Sequence, residues 1–254
     1  MLFGTALTSL GAWIYLSLFH GKFWQKGPIL AQKPTPVCAP DVAVVVPARD
    51  EADSIRECLT SLLEQDYDGK LSVILVDDES TDGTGDIARA LPDPHHRLTV
   101  ISGQKRPAGW SGKLWAVHQG EQEALTRIGP YGYILLTDAD IMHAPGHLSS
   151  LVAKAREDDL DLVSEMVALN CESTAERFLV PAFVYFFAML YPFSRIGSED
   201  SRIAGAAGGR ILLRRRALER IGGISALRGA LIDDCTLAAH VKRSGGRLYL
   251  GHSV

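Results

Sequence analysis

The feature that most constrains the fold is a short apolar run that ends in two carboxylates, within the segment YGYILLTDADI at Tyr131–Ile141. Residues 133–136 are all apolar, which is typical of a strand buried on both faces of a helix-covered parallel sheet. Asp138 and Asp140 follow, separated by a single residue. Because ligands of open α/β sheets lie just beyond the carboxyl ends of the strands, these two acids are candidates for a binding site.

Two carboxylates at such a position repel each other unless a positive charge compensates them. A divalent cation that also contacts substrate phosphates is a common solution, because Mg²⁺ prefers one or two carboxylates together with phosphate oxygens. Taken alone, an Asp-x-Asp pair is more often a solvated polar strand end. The rest of the chain changes that balance.

Two further apolar runs end in acidic residues in the same way. Asp41–Pro47 runs into Glu51, and Leu71–Val76 runs into Asp77 and Asp78. Segments with helical spacing of apolar residues alternate with these runs, which predicts an α/β fold with a doubly wound, mostly parallel sheet and helices on both faces. Single acids at strand ends often cap helices. Acids at three strand ends on one edge of a sheet converge on one crevice, which we interpret as a binding site.

The composition and the missing motifs exclude several classes of function. The chain has 254 residues and a net charge of −4, which gives no indication of nucleic-acid binding. There is no GxGxxG after the first predicted strand and no GxxxxGK[ST], which argues against a dinucleotide-binding Rossmann domain and a P-loop. The four cysteines are scattered, a pattern that fits a reducing compartment rather than a disulfide framework or a zinc site.

Three more residues are candidates for the same site. Lys113 enters a predicted helix in the segment RPAGWSGKLWAV at Arg106–Val117. It is either a solvated surface group or a lysine that binds a diphosphate together with the helix N-terminus. Asp233 and Asp234 open another predicted helix, where acids suit the helix dipole, although capping alone would explain only one of them.

The first 19 residues predict a membrane anchor. Leu2–Phe19 contains no charged residue, and as a helix it would be roughly 27 Å long, close to the hydrocarbon core of a bilayer. We therefore predict a transmembrane helix at residues 1–21, with a cleaved signal peptide or a buried core helix as alternatives. Lys22, Lys26 and Lys33 follow the span, which by the positive-inside rule predicts a cytoplasmic location for the rest of the chain.

The remaining domain organisation follows from proline and from a second apolar stretch. Gly27–Pro40 contains four prolines, so residues 22–40 are expected to be a linker to a catalytic domain at residues 41–254. Within that domain Phe178–Phe193 has no charge and is interrupted by Pro181, which makes it short for a membrane span. A single crossing there would also divide the site. We predict an interfacial or re-entrant segment, with a buried core helix as the alternative.

Taken together, six blocks of sequence resemble an inverting family 2 glycosyltransferase of GT-A fold. Their order and spacing match across roughly residues 42–252, and within the family the chain is similar to the hopene-associated, membrane-bound glycosyltransferases of bacteria. The blocks are VVVPARDE (44–51), VILVDDESTDGT (73–84), GWSGKLWA (109–116), LLTDADI (135–141), GGRILLRRRALERIGG (208–223) and IDDCTLA (232–238).

The resemblance implies a nucleotide-diphosphate sugar as donor, Mg²⁺ or Mn²⁺ as cofactor, and an acceptor hydroxyl, with a lipid as the expected acceptor. It implies that Asp138 and Asp140 contact the metal and that Asp234 is the catalytic base, flanked by Asp233. The expected location is the bacterial inner membrane, with the catalytic domain in the cytoplasm. The residues implied in donor binding are Pro47, Arg49, Glu51, Asp77, Asp78, Lys113 and Asp138.

The chain departs from the family pattern in two respects. It contains no QxxRW motif, which many processive and lipid-directed members have. It also stops within a predicted strand, Arg247–Val254, where relatives continue into membrane helices, so we expect a truncated chain. Because of both departures, the family pattern does not identify the residues of the acceptor site.

Two other classes of function are alternatives. A haloacid-dehalogenase-type phosphatase also uses Asp-x-Asp, but on its first strand and with Thr or Val two residues beyond the second Asp, where this chain has Met142. A non-catalytic, membrane-anchored nucleotide-binding domain would keep the fold and lose the acids. Nucleotide-sugar hydrolysis separates the transferase from the phosphatase, and nucleotide binding without turnover indicates the third class.

Overall fold

The computed structural model describes residues 2–169 and 171–253 of the chain, and within them it has a seven-stranded mixed sheet. The strands are β1 (Val42–Ala48), β2 (Leu71–Asp77), β3 (Leu98–Ser102), β4 (Tyr133–Thr137), β5 (Leu162–Met166), β6 (Arg210–Arg214) and β7 (Leu248–His252). The helices are α1 (Leu2–Leu18), α2 (Ile55–Leu63), α3 (Thr84–Arg89), α4 (Gly112–Arg127), α5 (His147–Glu157), α6 (Thr174–Leu190), α7 (Phe193–Ile196), α8 (Arg215–Arg220) and α9 (Asp233–Arg243).

The sheet has the strand order β3-β2-β1-β4-β6-β5-β7. All neighbouring strands are parallel except β6, which is antiparallel to both β4 and β5. One apolar cluster lies on each face of the sheet, with α4 and α9 covering one face and α2 and α5 the other. The predicted α/β fold, with a mostly parallel sheet and helices on both faces, is confirmed.

The register of the three central strands brings their carboxyl ends to one edge. Ala48 of β1 lies opposite Asp77 of β2, and Val45 of β1 lies opposite Leu136 of β4. Pairing between β1 and β4 stops at Val45, two residues before Pro47, which has no N–H to donate to a neighbouring strand. The two strands therefore separate at the edge where the acidic residues follow.

Helix α4 lies unusually close to the sheet beneath this edge. A Cβ atom built at Gly120 would lie 2.3 Å from Cγ1 of Val45, so only glycine permits this approach. Val45 is completely buried and β-branched, and it cannot move aside cheaply. The close contact holds the start of α4 next to the ends of β1 and β2.

Residues 22–40, which were expected to be a linker, lie against the domain. They contain no helix or strand, but Ile29 forms a bridge with His252 of β7 and Leu30 is buried. The backbone N–H of Lys33 donates to Ser150 Oγ of α5 at 2.9 Å. The prolines prevent regular structure in this segment without keeping it from packing along the sheet.

The two apolar stretches are both helical and mostly exposed. In α6 Phe178 is 76% exposed, which contradicts a buried core helix at residues 178–193. The expectation that Pro181 interrupts the stretch is also wrong, because the helix continues for nine residues beyond it. Proline removes one backbone hydrogen bond, and a capping box formed by Ser173 and Glu176 fixes the first turn.

The ends of α1 and α6 meet at the surface of the domain. His20 Nε2 lies 2.9 Å from the carbonyl oxygen of Met189, and Phe23 packs edge-on against Tyr185. By length and composition Thr174–Ile196 is the one helical stretch among the described residues that is long and apolar enough to cross a membrane, whereas Phe3–Leu18 is shorter. A helix at residues 2–18 is confirmed, and its insertion into a membrane stays a prediction.

Candidate active site

A pocket of about 410 Å³ lies at the edge where β1, β2 and β4 end. The acids expected at the three strand ends converge there, with the exception of Asp77. The carboxylate of Asp77 accepts a hydrogen bond from the backbone N–H of Ser80 and lies against Gly85 of α3, on the other side of the strand. Adjacent residues of an extended chain point to opposite faces, so Asp77 and Asp78 do not face one pocket together. The predicted residues that line it are Pro47, Arg49, Glu51, Asp78, Lys113, Asp138 and Asp140.

Asp78 is the most buried acid of this pocket, with 5% of its surface exposed. Burial raises the pKa of its carboxyl group, and the guanidinium of Arg49, 3.8 Å away, opposes the rise. The start of α4 comes close as well, since a Cβ atom on Gly112 would lie 3.1 Å from Asp78 Oδ2. Asp78 thus presents a mostly buried carboxylate to the pocket, where it can accept a hydrogen bond from a ligand.

Glu51 belongs to the loop that leaves β1. Its backbone N–H donates to Thr84 Oγ1 at 2.8 Å, and its carboxylate accepts from Ser54 Oγ at 2.8 Å. The preceding Asp50 has a positive φ of 55°, which turns the chain sharply at the strand end. These contacts hold the loop over α2 and α3 and leave Glu51 on the rim of the pocket.

Lys113 lies at the centre of the site. Ser111 caps α4 by accepting a hydrogen bond from the N–H of Leu114, so Lys113 projects from the first turn of the helix. Its Nζ lies 2.5 Å from Asp138 Oδ1. Burial lowers the pKa of Lys113, but the charge and hydrogen bond of Asp138, with the charges of Asp233 and Asp234, outweigh burial and raise it. The side chain is therefore a stable cation among these three carboxylates.

Asp138 and Asp140 are the candidate metal ligands. Asp138 is half-buried and Asp140 is exposed, and both line the pocket. Among the described residues no group of three or more His, Cys, Asp or Glu side chains is arranged to hold a metal ion. A two-carboxylate donor set beside an open pocket fits Mg²⁺ or Mn²⁺, since such ions leave several positions to water and substrate phosphates.

Asp233 and Asp234 form the first turn of α9, on the other side of Lys113. They line a small cavity next to the pocket, and Lys113 and Asp138 line both spaces. Burial raises the pKa of Asp234, and the neighbouring Asp233 carboxylate adds to the rise, while the N–H of Cys235 and the Lys113 ammonium oppose it. The expected repulsion from Asp233 is present, but burial is the larger cause. This arrangement makes Asp234 a better proton acceptor than a free aspartate.

Some residues near the site were not identified from the sequence. Under the loop that follows β4, His143 is buried and lies 3.1 Å from Thr137 Oγ1, and burial together with nearby positive charge lowers the pKa of His143 to about 2. The buried side chains of His147, Glu165 and Arg210 continue this polar cluster. Charged residues inside apolar strands were the available signal, as Glu165 lies in β5 and Arg210 in β6.

Comparison with solved structures shows the same fold. The mannosyltransferase PcManGT from Pyrobaculum calidifontis, in complex with GDP-Man and Mn²⁺, superposes with a TM-score of 0.66 at 24% identity, covering 98% of this chain and 64% of that one. TarS of S. aureus, in complex with UDP-GlcNAc, gives a TM-score of 0.54 at 19% identity, covering 83% and 55%.

Comparison with protein sequences of described function gives several relatives that are named as glycosyltransferases. The chain is 31% identical over 143 residues to an N-acetylglucosaminyltransferase of Bradyrhizobium elkanii, covering 54% of this chain and 72% of that protein. It is 26% identical over 211 residues to the probable glycosyltransferase YdaM of Bacillus subtilis, covering 81% of this chain but less than half, 47%, of the relative. The model of Glycosyl transferase family 2 matches residues 43–222, well over half of the chain. The chain belongs to glycosyl transferase family 2, and its sheet has the GT-A-like arrangement of that family.

Proposed function

We propose that this protein transfers a sugar from a nucleotide-diphosphate donor to an acceptor hydroxyl, with inversion at the anomeric carbon. The observation that carries the proposal is that one lysine, Lys113, lies next to two sets of acids. Asp138 and Asp140 line the pocket at the strand ends, Asp234 lines a small neighbouring cavity, and Lys113 lines both. Family membership supports the activity, and the GDP-Man and UDP-GlcNAc bound to the two structural neighbours support the type of donor.

The donor would lie along the ends of β1, β2 and β4. Asp78 would accept hydrogen bonds from the base, with Arg49 beside it. Lys113, held at the first turn of α4 and charged because its pKa is raised, binds the diphosphate by charge attraction and through the helix N-terminus. Asp138 and Asp140 would hold Mg²⁺ or Mn²⁺, which when bound stabilises the negative charge of the leaving diphosphate.

Asp234 would act as the general base on the opposite side. Its carboxylate takes the proton of the acceptor hydroxyl while that oxygen bonds to the anomeric carbon and the bond to the diphosphate oxygen breaks. Attack from the face opposite the leaving group inverts the configuration in one displacement. The raised pKa of Asp234 suits this role, because a base accepts a proton more readily as its pKa approaches the working pH.

We further propose that the enzyme works on the cytoplasmic face of a bacterial inner membrane and uses a lipid acceptor, as the resemblance to the hopene-associated subgroup suggests. The charge-free α1 would serve as the anchor and α6 as an interfacial helix. Exposed aromatic side chains support this, with Trp13 of α1 52% exposed and Phe178 and Phe183 of α6 76% and 60% exposed. Such surfaces are costly in water and favourable at a membrane.

The first prediction concerns the metal. Asp138→Ala and Asp140→Ala should abolish nucleotide-sugar turnover supported by Mg²⁺ or Mn²⁺, because each removes one of two protein ligands, while the melting temperature stays close to that of the wild type. The exposed Asp86 on α3 provides a control, since Asp86→Ala removes an acid outside the pocket and should keep full turnover. Undiminished transfer in EDTA would disprove the metal role.

The second prediction separates the base from binding. Asp234→Asn keeps the side-chain shape and removes the proton acceptor, so transfer should fall about 10²–10⁴-fold with little change in nucleotide affinity. Asp233→Asn should reduce transfer less, because Asp233 only helps to raise the pKa of Asp234. If both acids merely cap α9, both variants should be nearly wild type, since Asn caps almost as well as Asp. Initial transfer rates measured beside nucleotide affinity distinguish the two readings, and a dead Asp233→Asn would contradict the assignment.

The pH dependence of transfer and of stability provides a further check on the role of Asp234. Only the carboxylate form of Asp234 accepts a proton, so transfer should be lost as the pH falls through its raised pKa. A raised pKa also means that folding disfavours the charged form, and wild type carries that cost at neutral pH. Asp234→Asn should therefore melt at the same temperature as wild type or higher at pH 7. A clear loss of stability would indicate a structural role instead.

The third prediction concerns attachment. The full chain should stay with membranes through a high-salt wash, and deleting residues 1–21 should weaken attachment without removing it, because α6 still binds the interface. Adding Phe178→Glu and Phe183→Glu to the deletion should release the protein, whereas Phe178→Leu and Phe183→Leu should not. Membrane fractionation followed by blotting measures this. Recovery of the unmodified full chain in the soluble fraction would show that neither helix is a membrane element.

A further inference from the structure

A second and larger cavity, of about 1100 Å³, adjoins the proposed donor pocket. It lies between the loop after β4, the start of α5, the end of β5 and α6. Asp140 lines both spaces, so the cavity begins where the proposed metal ligands end. Nothing in the proposed donor chemistry uses it.

Buried polar side chains line the deep end of this cavity. His147 Nε2 forms a hydrogen bond with Glu165 Oε2. Arg210 lies next to this pair, with its Nη1 3.4 Å from His147 Nε2. Arg210 and Glu165 are 8% and 1% exposed. The Nε of Arg210 is buried and has no hydrogen-bond partner among the described residues. Burying a donor without a partner is unfavourable, so an oxygen atom that binds this cluster is favoured.

The walls and mouth of the cavity are apolar. Ile141 and Val167 line it from the ends of β4 and β5, and Val180 lines it from α6. At the mouth Met142 and Leu169 are 62% and 50% exposed. The cavity therefore leads from the exposed apolar surface of α6 to a polar floor, a shape that fits a molecule with an apolar body and a polar end.

The charges around the cavity indicate which polar end it accepts. Three lining side chains are acidic, Asp140, Glu165 and Glu176, and two are basic, Lys33 and Arg210. Lys33 already pairs with Glu157, and Arg210 donates from Nη2 to the carbonyl oxygen of Met142 and lies within the field of the Glu165 charge, so neither is a free cation for a phosphate. A hydroxyl group suits the floor better, because it can donate to Glu165 and accept from Arg210.

The wall of the cavity lies close to the proposed base. Gly208 and Gly209 connect the two along the chain. A Cβ atom on Gly209 would lie 3.4 Å from Ile141 Cδ1, on the cavity side, and one on Gly208 would lie 3.4 Å from Asp234 Oδ2, on the other. No side chain of these two residues separates the cavity wall from Asp234, so an acceptor bound in the cavity would lie near the proposed base.

We propose that this cavity is the acceptor site and that it binds an uncharged amphiphile, with its hydroxylated end on His147, Glu165 and Arg210 and its apolar body along α6. This deepens the proposed function and rests on it for the reaction. It differs from that proposal in naming the site, and in selecting a neutral alcohol over a lipid phosphate.

Two substitutions at exposed positions close the cavity without removing a buried group. Ala168→Trp narrows it at the end of β5, and Ala144→Trp narrows it from the loop after β4. Ala90→Trp places the same side chain on the exposed end of α3 and is the matched control. The probes are dodecane-1,2-diol and dodecyl phosphate below their micellar concentrations, titrated calorimetrically, with nucleotide affinity and donor hydrolysis measured for every variant.

We expect wild type and Ala90→Trp to bind the diol at least tenfold more tightly than the phosphate. Ala168→Trp and Ala144→Trp should lose at least tenfold in diol affinity, with nucleotide affinity and donor hydrolysis unchanged. Equal or tighter binding of the phosphate, or full diol affinity in both cavity variants, would overturn the inference. Diol binding of the expected pattern without any donor turnover would support the cavity assignment and contradict the proposed function, so the two can fail separately.

Discussion

Repulsion among the carboxylates gathered at one edge of the sheet is the constraint on which the site depends. The strand register alone brings Asp78, Asp138 and Asp140 together, and α9 adds Asp233 and Asp234 from the far side. Two cations lie among them, Lys113, which forms an ion pair with Asp138, and Arg49, 3.8 Å from Asp78. Two cations do not balance these five acids, and the surplus negative charge favours binding of a further cation together with an anionic diphosphate.

The fold supports this arrangement through backbone features rather than through side-chain networks. Pro47 ends the pairing between β1 and β4 and so opens the space between them. The missing Cβ of Gly120 lets α4 approach β1 and carries Lys113 to the strand ends. The antiparallel β6 begins at this same edge, and Gly208, two residues before it, lies next to Asp234. The proposed donor and acceptor sites would therefore meet where this antiparallel strand enters the sheet.

The sequence was sufficient for the elements and for most of the site, because buried parallel strands and the acids that follow them leave a local pattern. The features that the sequence did not indicate depend on the direction in which a side chain points and on contacts between residues that are distant in the chain. Asp77 and Asp78 look equivalent as a pair, but strand alternation turns Asp77 towards α3. The cluster of His147, Glu165 and Arg210 joins three separate elements and has no spacing that marks it. The segment at residues 22–40 has a composition typical of a flexible linker, but it packs against β7. Its local sequence does not indicate this contact, because β7 lies more than 200 residues away along the chain.

The most direct measurement for the central claim is the melting temperature of the full chain with UDP and with GDP, each in Mn²⁺ and in EDTA. A ligand raises the melting temperature only if it binds the folded state. At least one of the two nucleotides should raise the melting temperature by roughly 5–10 °C at a hundredfold excess over its Kd in Mn²⁺, and by much less in EDTA. If neither nucleotide shifts the melting temperature in Mn²⁺, or if the shift is the same in EDTA, the acids at this sheet edge do not form a metal-assisted nucleotide site.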